Sequence, residues 1–356
     1  MKSVIMKKTR LLALCMLLLA GSSFAQTYVT QVKPSGNKKW GYANLNGEII
    51  IPAQYDKCYE FSSDGLAIIF DGKARQHYFI NLKGEKLPTE VSAFAVREGF
   101  LGFELQGFQD GLLPIRVGEK WGYLSSSGKM AIKAKYDDIT DFYGGYAVVK
   151  SGEKYIVVTT SGEETPVEGS GLLDVKHFTE GMAPFRAADK KFGFIDTSGK
   201  AVIKAQFESV GYFGDGVAWA ETADKKIGYL DKYGAWVIKP QFDAAKNFDQ
   251  ETGLARIKNG KAWAYVAKDG SKVTLSGTDI YEDFFDGLAR GRQDGKFGWL
   301  NSKGEWVIKP QYDGSRDFKN GYAAIQKGKM WGIIDKDGKV VIEPKFDGIK
   351  DMELVK

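Results

Sequence analysis

The chain has 356 residues, a formal net charge of +5 and two cysteines. Four of its positive charges (Lys2, Lys7, Lys8 and Arg10) lie at its very start, and without them the net charge is +1. That leaves no basic face of the kind nucleic-acid binding needs. Only Cys58 lies beyond Ala25, which excludes an intramolecular disulfide framework.

The segment Met1 to Ala25 reads as a targeting sequence. A basic start precedes an apolar run from Leu11 to Ala20, too short to span a bilayer comfortably. Ser23-Phe24-Ala25 then places small residues at both positions a signal peptidase reads. The expectation is a secretory signal peptide over 1–25, cleaved after Ala25, with a retained anchor as the alternative. The protein is then secreted, periplasmic or on the cell surface, with one repeat domain over 26–356. No other stretch is apolar and long enough to span a membrane after cleavage.

From Trp40 onward the chain is a repeat. A mostly aromatic column marks nine copies: Trp40, His77, Trp121, Tyr155, Phe192, Ile227, Trp263, Phe297 and Trp331. Successive anchors stand about 35 residues apart, and the longest step runs from His77 to Trp121. Seven residues after the anchor stands a glycine in all nine copies, from Gly47 to Gly338. One residue after it stands a glycine in six, as in Gly41 and Gly332. Fifteen after it stands Tyr or Phe in six, each followed by an acid: Asp56, Asp137, Glu208, Asp243, Asp313 and Asp347. A Gly-Leu-Ala-like segment precedes each anchor from the second on, usually with Phe three residues before its glycine.

These columns predict strands. In one copy, Leu254 to Ile257 and Ala262 to Val266 flank Asn259-Gly260, a hairpin signal because both residues tolerate positive φ. A third strand is clearest at Trp306-Val307-Ile308. Each copy therefore reads as a three-stranded antiparallel meander. The glycine beside the anchor is expected to leave one strand face open to a neighbouring copy. The copies at His77, Tyr155 and Trp263 lack the aromatic-acid ending, and Glu98 to Gln109 reads as an insertion. No long stretch has a helical apolar period.

The sequence resembles the WG-repeat (KWG-type) family. The matching residues include Lys39-Trp40-Gly41-Tyr42, Lys120-Trp121-Gly122-Tyr123 and Met330-Trp331-Gly332-Ile333, with the endings Ile238 to Asp243 and Ile308 to Asp313. The resemblance covers essentially all of 26–356. It implies a β-rich, mostly bacterial module with a binding role, and it brings no catalytic motif.

Reactive constellations are sparse. The two histidines stand far apart in repeat order, His77 in the anchor column and His177 in an expected surface loop. No metal-ligand spacing, phosphate loop or nucleophile elbow occurs. The acid column could supply a carboxylate pair for glycoside hydrolysis. Six acids at one repeat position fit a structural role better, because an acid–base pair needs two different environments. The off-column tryptophans Trp219, Trp236, Trp299 and Trp306 are the candidate binding face if exposed, and a second core ladder if buried.

The expected fold is an all-β, solenoid-like array of about nine three-stranded meanders, with a propeller-like closed ring as the alternative. The expected function is non-catalytic binding or scaffolding of an unknown protein or glycan, with no cofactor and no metal. The alternative is a secreted glycan- or peptide-hydrolase with a carboxylate site.

Overall fold

The computed structural model describes residues 26–97, 107–273, 278 and 282–355. The expected signal peptide, residues 98–106 of the expected insertion, and all but Thr278 of the stretch 274–280 lie outside the described residues. Among the described residues there is no helix. The chain forms small antiparallel sheets, most of four strands, one per repeat. The all-β array of meanders read from the sequence is what the structure contains.

Unit six shows the pattern: Ser209–Val210, Val217–Glu221, Ile227–Asp231 and Trp236–Phe242 pair in that order. The last three strands are the meander expected from the sequence. The first spans only two residues, too few to show an alternation. The third strand reads buried along four consecutive residues, Ile227 to Leu230, because neighbouring units cover both of its faces. The fourth alternates, with Ile238 and Phe242 buried and Val237, Lys239 and Gln241 exposed. It is the outer rim. Lysine and proline there, as at Lys239-Pro240, discourage pairing with another chain.

The repeated motif now has physical causes. The lysine before the anchor pairs with the acid that ends the same unit. Lys120 Nζ lies 2.5 Å from Asp137, Lys226 Nζ lies 2.6 Å from Asp243, and Lys39–Asp56 and Lys296–Asp313 are built alike. The other oxygen of the acid accepts from a turn glycine in the next unit, as Gly152 N–H donates to Asp137 at 2.6 Å and Gly328 N–H to Asp313 at 2.7 Å. The acid column is thus an ion pair and a hairpin cap.

The glycine after the anchor serves its own unit, which corrects the expectation of an opening toward a neighbour. A Cβ on Gly41 would sit 2.5 Å from the Ile51 carbonyl and 2.7 Å from the Ala53 amide; Gly332 meets Ile342 and Pro344 in the same way. The fourth strand bulges over this position, shown by the register shift between Trp331 and Ile333. The glycine seven residues after the anchor has a positive φ in all nine units, between +73° and +87°. There a side chain would be strained.

The ends of the array meet. Strand Thr27–Pro34 pairs on one edge with Trp40–Asn44 of its own unit, and on the other with the end of Val340–Ile349 and with Glu353–Val355. The chain terminus therefore supplies the first strand of the first unit. Contacts found between consecutive units recur here. A Cβ on Gly47 would lie 2.9 Å from Ile342, as one on Gly84 lies 3.3 Å from Ile51 and one on Gly338 lies 3.1 Å from Ile308. Gly36 N–H donates to Asp347 at 2.9 Å, as Gly328 does to Asp313. The sequence put the solenoid-like array first and the closed, propeller-like ring second; these end-to-end contacts belong to the ring. Tyr28 to Val32 does belong to its own first unit. The closing strand is the segment after Phe346-Asp347, where Met352 occupies the Phe318 column.

Candidate ligand-binding cavity

The short first strands of successive units lie on the inner side of the ring and are tied together by side chains. Two residues after the anchor, four tyrosines donate their hydroxyl to a backbone carbonyl in or beside the next unit's first strand. Tyr42 reaches Tyr59 O at 2.7 Å, Tyr123 Thr140 O at 2.8 Å, Tyr229 Lys246 O at 2.7 Å and Tyr265 Glu282 O at 2.6 Å. Trp299 holds this column in unit eight. It is fully buried against Tyr312 and Phe318, and its Nε1 has no hydrogen-bond partner among the described residues. Trp299 is a core residue and offers no binding face.

The position three residues after the Gly-Leu-Ala glycine carries arginine in units seven and eight, and there it also bridges units. Arg256 pairs with Asp283 at 2.7 Å, and Arg290 donates to Ser315 O at 2.8 Å and faces Asp317. In unit six this position is Trp219. Beside it in its own unit is Gly211, where units seven, eight and nine carry Lys246, Glu282 and Arg316. A Cβ on Gly211 would lie 2.2 Å from the indole Nε1, so the indole rests on bare backbone. No cross-unit ion pair is made there among the described residues, and a cavity of about 800 Å³ opens between units six, seven and eight.

Its walls mix apolar and polar groups. Tyr212, Trp219 and Phe285 supply rings, and Phe285 is 44% exposed. Asn247 and Gln250 supply exposed amides that carry no hydrogen bond among the described residues. The carboxylates at the margin are engaged. Asp249 accepts from the Thr252 amide and hydroxyl at 2.8 and 2.7 Å, Asp286 from Gly321 N–H at 2.7 Å, and Glu251 pairs with Lys336 at 2.8 Å. Burial, with Asp174 and Tyr143 nearby, pushes the Tyr212 hydroxyl up to about 12, so it stays protonated and able to donate.

Tyr212 also ends a stack. His177 lies 4.1 Å from it, nearly parallel, and 5.0 Å from Tyr143 on the other side. Burial first, then Lys176, lowers the His177 pKa to about 4, which keeps the imidazole neutral. The surface-loop expectation for His177 gives way to a half-buried stacking role, because the segments that follow three successive first strands bring Tyr143, His177 and Tyr212 side by side. His77 packs beside Phe70 at 5.0 Å, as an anchor should.

The other candidate tryptophans do not reach the cavity. Trp236 packs edge-on against Phe207 of unit five at 5.8 Å. Trp306 lies over Gly291 and the cluster around Tyr265 and Phe284. Both are half-buried wedges between units, the second ladder. The structure brings none of the other three together with Trp219. Tyr212, Asn247, Gln250 and Phe285 were not singled out from the sequence. The available signal was a tryptophan at a position that elsewhere holds aliphatic residues, proline or arginine, eight residues after the glycine Gly211.

The WG containing repeat family matches residues 40–73, 121–155, 192–225, 227–263, 297–331 and 331–353, more than half of the chain. The chain belongs to the WG-repeat family. The units without a match of their own start at His77, Tyr155 and Trp263, the three whose endings are lost. No curated protein matches the sequence. Among solved structures, one described as the eukaryotic initiation factor is similar over 92% of this chain and 97% of its own, with a TM-score of 0.59 and 10% identity. That likeness shows a shared fold. A computationally designed protein, Ika8, is similar over 79% of this chain and 93% of its own, at 14% identity and a TM-score of 0.44. BamB from Moraxella catarrhalis is similar over 65% of this chain and 85% of its own, at 17% identity and a TM-score of 0.37. Among the described residues no helix is long and apolar enough to cross a membrane.

Proposed function

We propose that this WG-repeat protein is a non-catalytic binding protein of the periplasm or cell surface, and that its ligand occupies the cavity between units six and eight. The observation that carries the reading is the cavity itself, where Trp219 stands against the bare backbone of Gly211 and the amides of Asn247 and Gln250 make no hydrogen bond among the described residues. Ligand sites favour such concave, mostly apolar clefts with a few polar groups, in a volume range that includes this one. The marginal carboxylates already serve the fold, which supports binding over hydrolysis. The basic and apolar segment Met1 to Ala25, ending in Ser23-Phe24-Ala25, supports export.

The reading is tested by incubating the chain with an envelope extract and following bound species by native mass spectrometry. A saturable adduct is expected on the wild type and on Trp236→Phe, and its loss on Trp219→Ala. An adduct indifferent to Trp219 overturns the site. Turnover of a cell-wall or polysaccharide substrate that Asp283→Asn abolishes overturns the non-catalytic reading. Cell fractionation with N-terminal sequencing checks export, and a mature chain starting at Gln26 is the expected result.

A further inference from the structure

We infer that the cavity between units six and eight takes a neutral carbohydrate, one face of a sugar ring lying on the Trp219 side and its hydroxyls reaching Tyr212, Asn247 and Gln250. This rests on the binding reading above and gives it a ligand class. Three observations separate a sugar from the other ligand an aromatic and acidic cleft could hold, a cationic peptide side chain.

The first is the state of the charges. Each carboxylate at the margin already has a partner, and the exposed Lys246 on the wall adds a positive charge that opposes a cationic ligand. Asp283 faces Arg256, Glu251 faces Lys336, Asp286 caps Gly321 and Asp249 caps Thr252. A lysine or arginine entering the cleft would compete with these contacts, and breaking the Arg256–Asp283 pair would leave the half-buried guanidinium only the longer contact to Glu282 at 3.7 Å. A neutral ligand disturbs none of them. It can use the lone pairs left over, since a carboxylate has about four acceptor sites.

The second is the set of groups that lack partners. The amides of Asn247 and Gln250 and the hydroxyl of Tyr212 form no hydrogen bond among the described residues, and all three residues line the cavity. An amide offers both donors and acceptors, and a tyrosine hydroxyl offers one donor and an acceptor. A sugar hydroxyl also donates and accepts, so it can pair with either group in either sense. An ammonium or guanidinium only donates and would leave the amide N–H groups unmatched.

The third is the support of the aromatic wall. The indole of Trp219 is backed by the Gly211 backbone, and Tyr212 is held by the stack through His177 to Tyr143. Because His177 stays neutral above about pH 4, the stack carries no charge at neutral pH. The rings are therefore ordered before a ligand arrives, which lowers the entropic cost of binding. A pyranose presents an apolar C–H face to such a surface and keeps its hydroxyls at the edge. A flat ring with polar groups around its rim is the complementary shape.

The test titrates the full chain with cellohexaose, maltohexaose and chitohexaose, reading tryptophan fluorescence and calorimetry, beside an uncharged acetyl-lysine peptide and a tri-lysine peptide. Saturable binding of at least one oligosaccharide is expected, little changed between low and high salt. Trp219→Ala should weaken it at least tenfold, and Gln250→Ala and Tyr212→Phe each by a few fold. Gln250 is exposed, so its variant keeps the comparison valid if Trp219→Ala loses its fold. Salt-sensitive binding of the tri-lysine peptide that Trp219→Ala weakens, with no sugar bound, overturns the sugar inference and leaves the cavity reading standing. Acetyl-lysine peptide binding without sugar has the same consequence. Sugar binding that none of the three variants changes overturns both the inference and the site. No sugar bound at millimolar concentrations, while the adduct from envelope extract persists, overturns the inference alone.

Discussion

The junction between units eight and nine and the junction between units nine and one use the same contacts, but only the first is joined by continuous chain. At both, a turn glycine packs on an isoleucine of the preceding unit and an Asp caps the next hairpin. At both, an anchor indole lies over a first-strand glycine, Trp331 on Gly314 and Trp40 on Gly348. The closing junction has to bring together residues at opposite ends of the sequence, as Gly36 and Asp347 are. Loop-closure entropy grows only logarithmically, so relative to a step of one repeat this adds about 2 kcal/mol. The seam carries additional ties. Arg316 makes a two-armed pair with Asp351, at 2.5 and 2.9 Å. Lys319 bridges Glu353 at 2.7 Å and Glu60 of unit two at 3.1 Å. A repeat protein can therefore close by reusing its ordinary joint, with a few ionic contacts at the one place where chain continuity is missing.

Three changes would break or sharpen this comparison. The largest effect is expected from removing residues 348–356. Ile349, Met352 and Val355 are buried, and losing them with the strand forfeits about 5 kcal/mol or more. The melting temperature should fall sharply and small-angle scattering should show a larger maximum dimension. A truncated chain as compact and stable as the wild type would mean that the seam does not close the ring.

The second compares equivalent core positions. Phe318→Ala at the continuous joint should cost about 3–5 kcal/mol, and Met352→Ala at the seam about 2–5 kcal/mol. Denaturant unfolding measures both. A negligible loss at Met352 would show that the two joints are alike in geometry and unlike in energy.

The third and smallest is a pH effect at the seam. Burial first, then the neighbouring Glu60, pushes the Glu353 carboxyl up to about 7, with Lys319 opposing. In the unfolded chain it titrates near the ordinary glutamate value of about 4.3. Its protonated form is thus favoured in the folded ring. This contribution is complete below the unfolded value and is lost as pH rises through about 7. Glu353→Gln cannot ionise. Melting curves should show it gaining on the wild type as pH rises from about 5 to about 8, on the order of 1–2 kcal/mol. A difference that stays constant over that range would remove Glu353 from the seam's pH response.

Much of this protein was legible as columns. The nine anchors, the turn glycines and the lost endings at His77, Tyr155 and Trp263 mark the units, because a strand period and a turn with positive φ are local requirements. The acid column was legible as structural through its repetition alone. Other features were not legible. Trp299 looked like its off-column neighbours and proved to occupy the buried tyrosine column, since burial depends on the next unit's first strand. Gly41 and Gly332 looked like openings to a neighbour. They are openings to a bulge in the same sheet, and a glycine by itself does not tell which backbone approaches it.

By itself, then, the sequence determined the strand-turn-strand content, the unit length and the family. Each follows from interactions within a single repeat. Only the tertiary structure decided that the ends pair, that Met352 completes the first unit's packing, and that Gly211 and Trp219 line a cavity shared with units seven and eight. These depend on residues far apart in the chain meeting across unit boundaries, where a single side chain is read through the backbone it packs on.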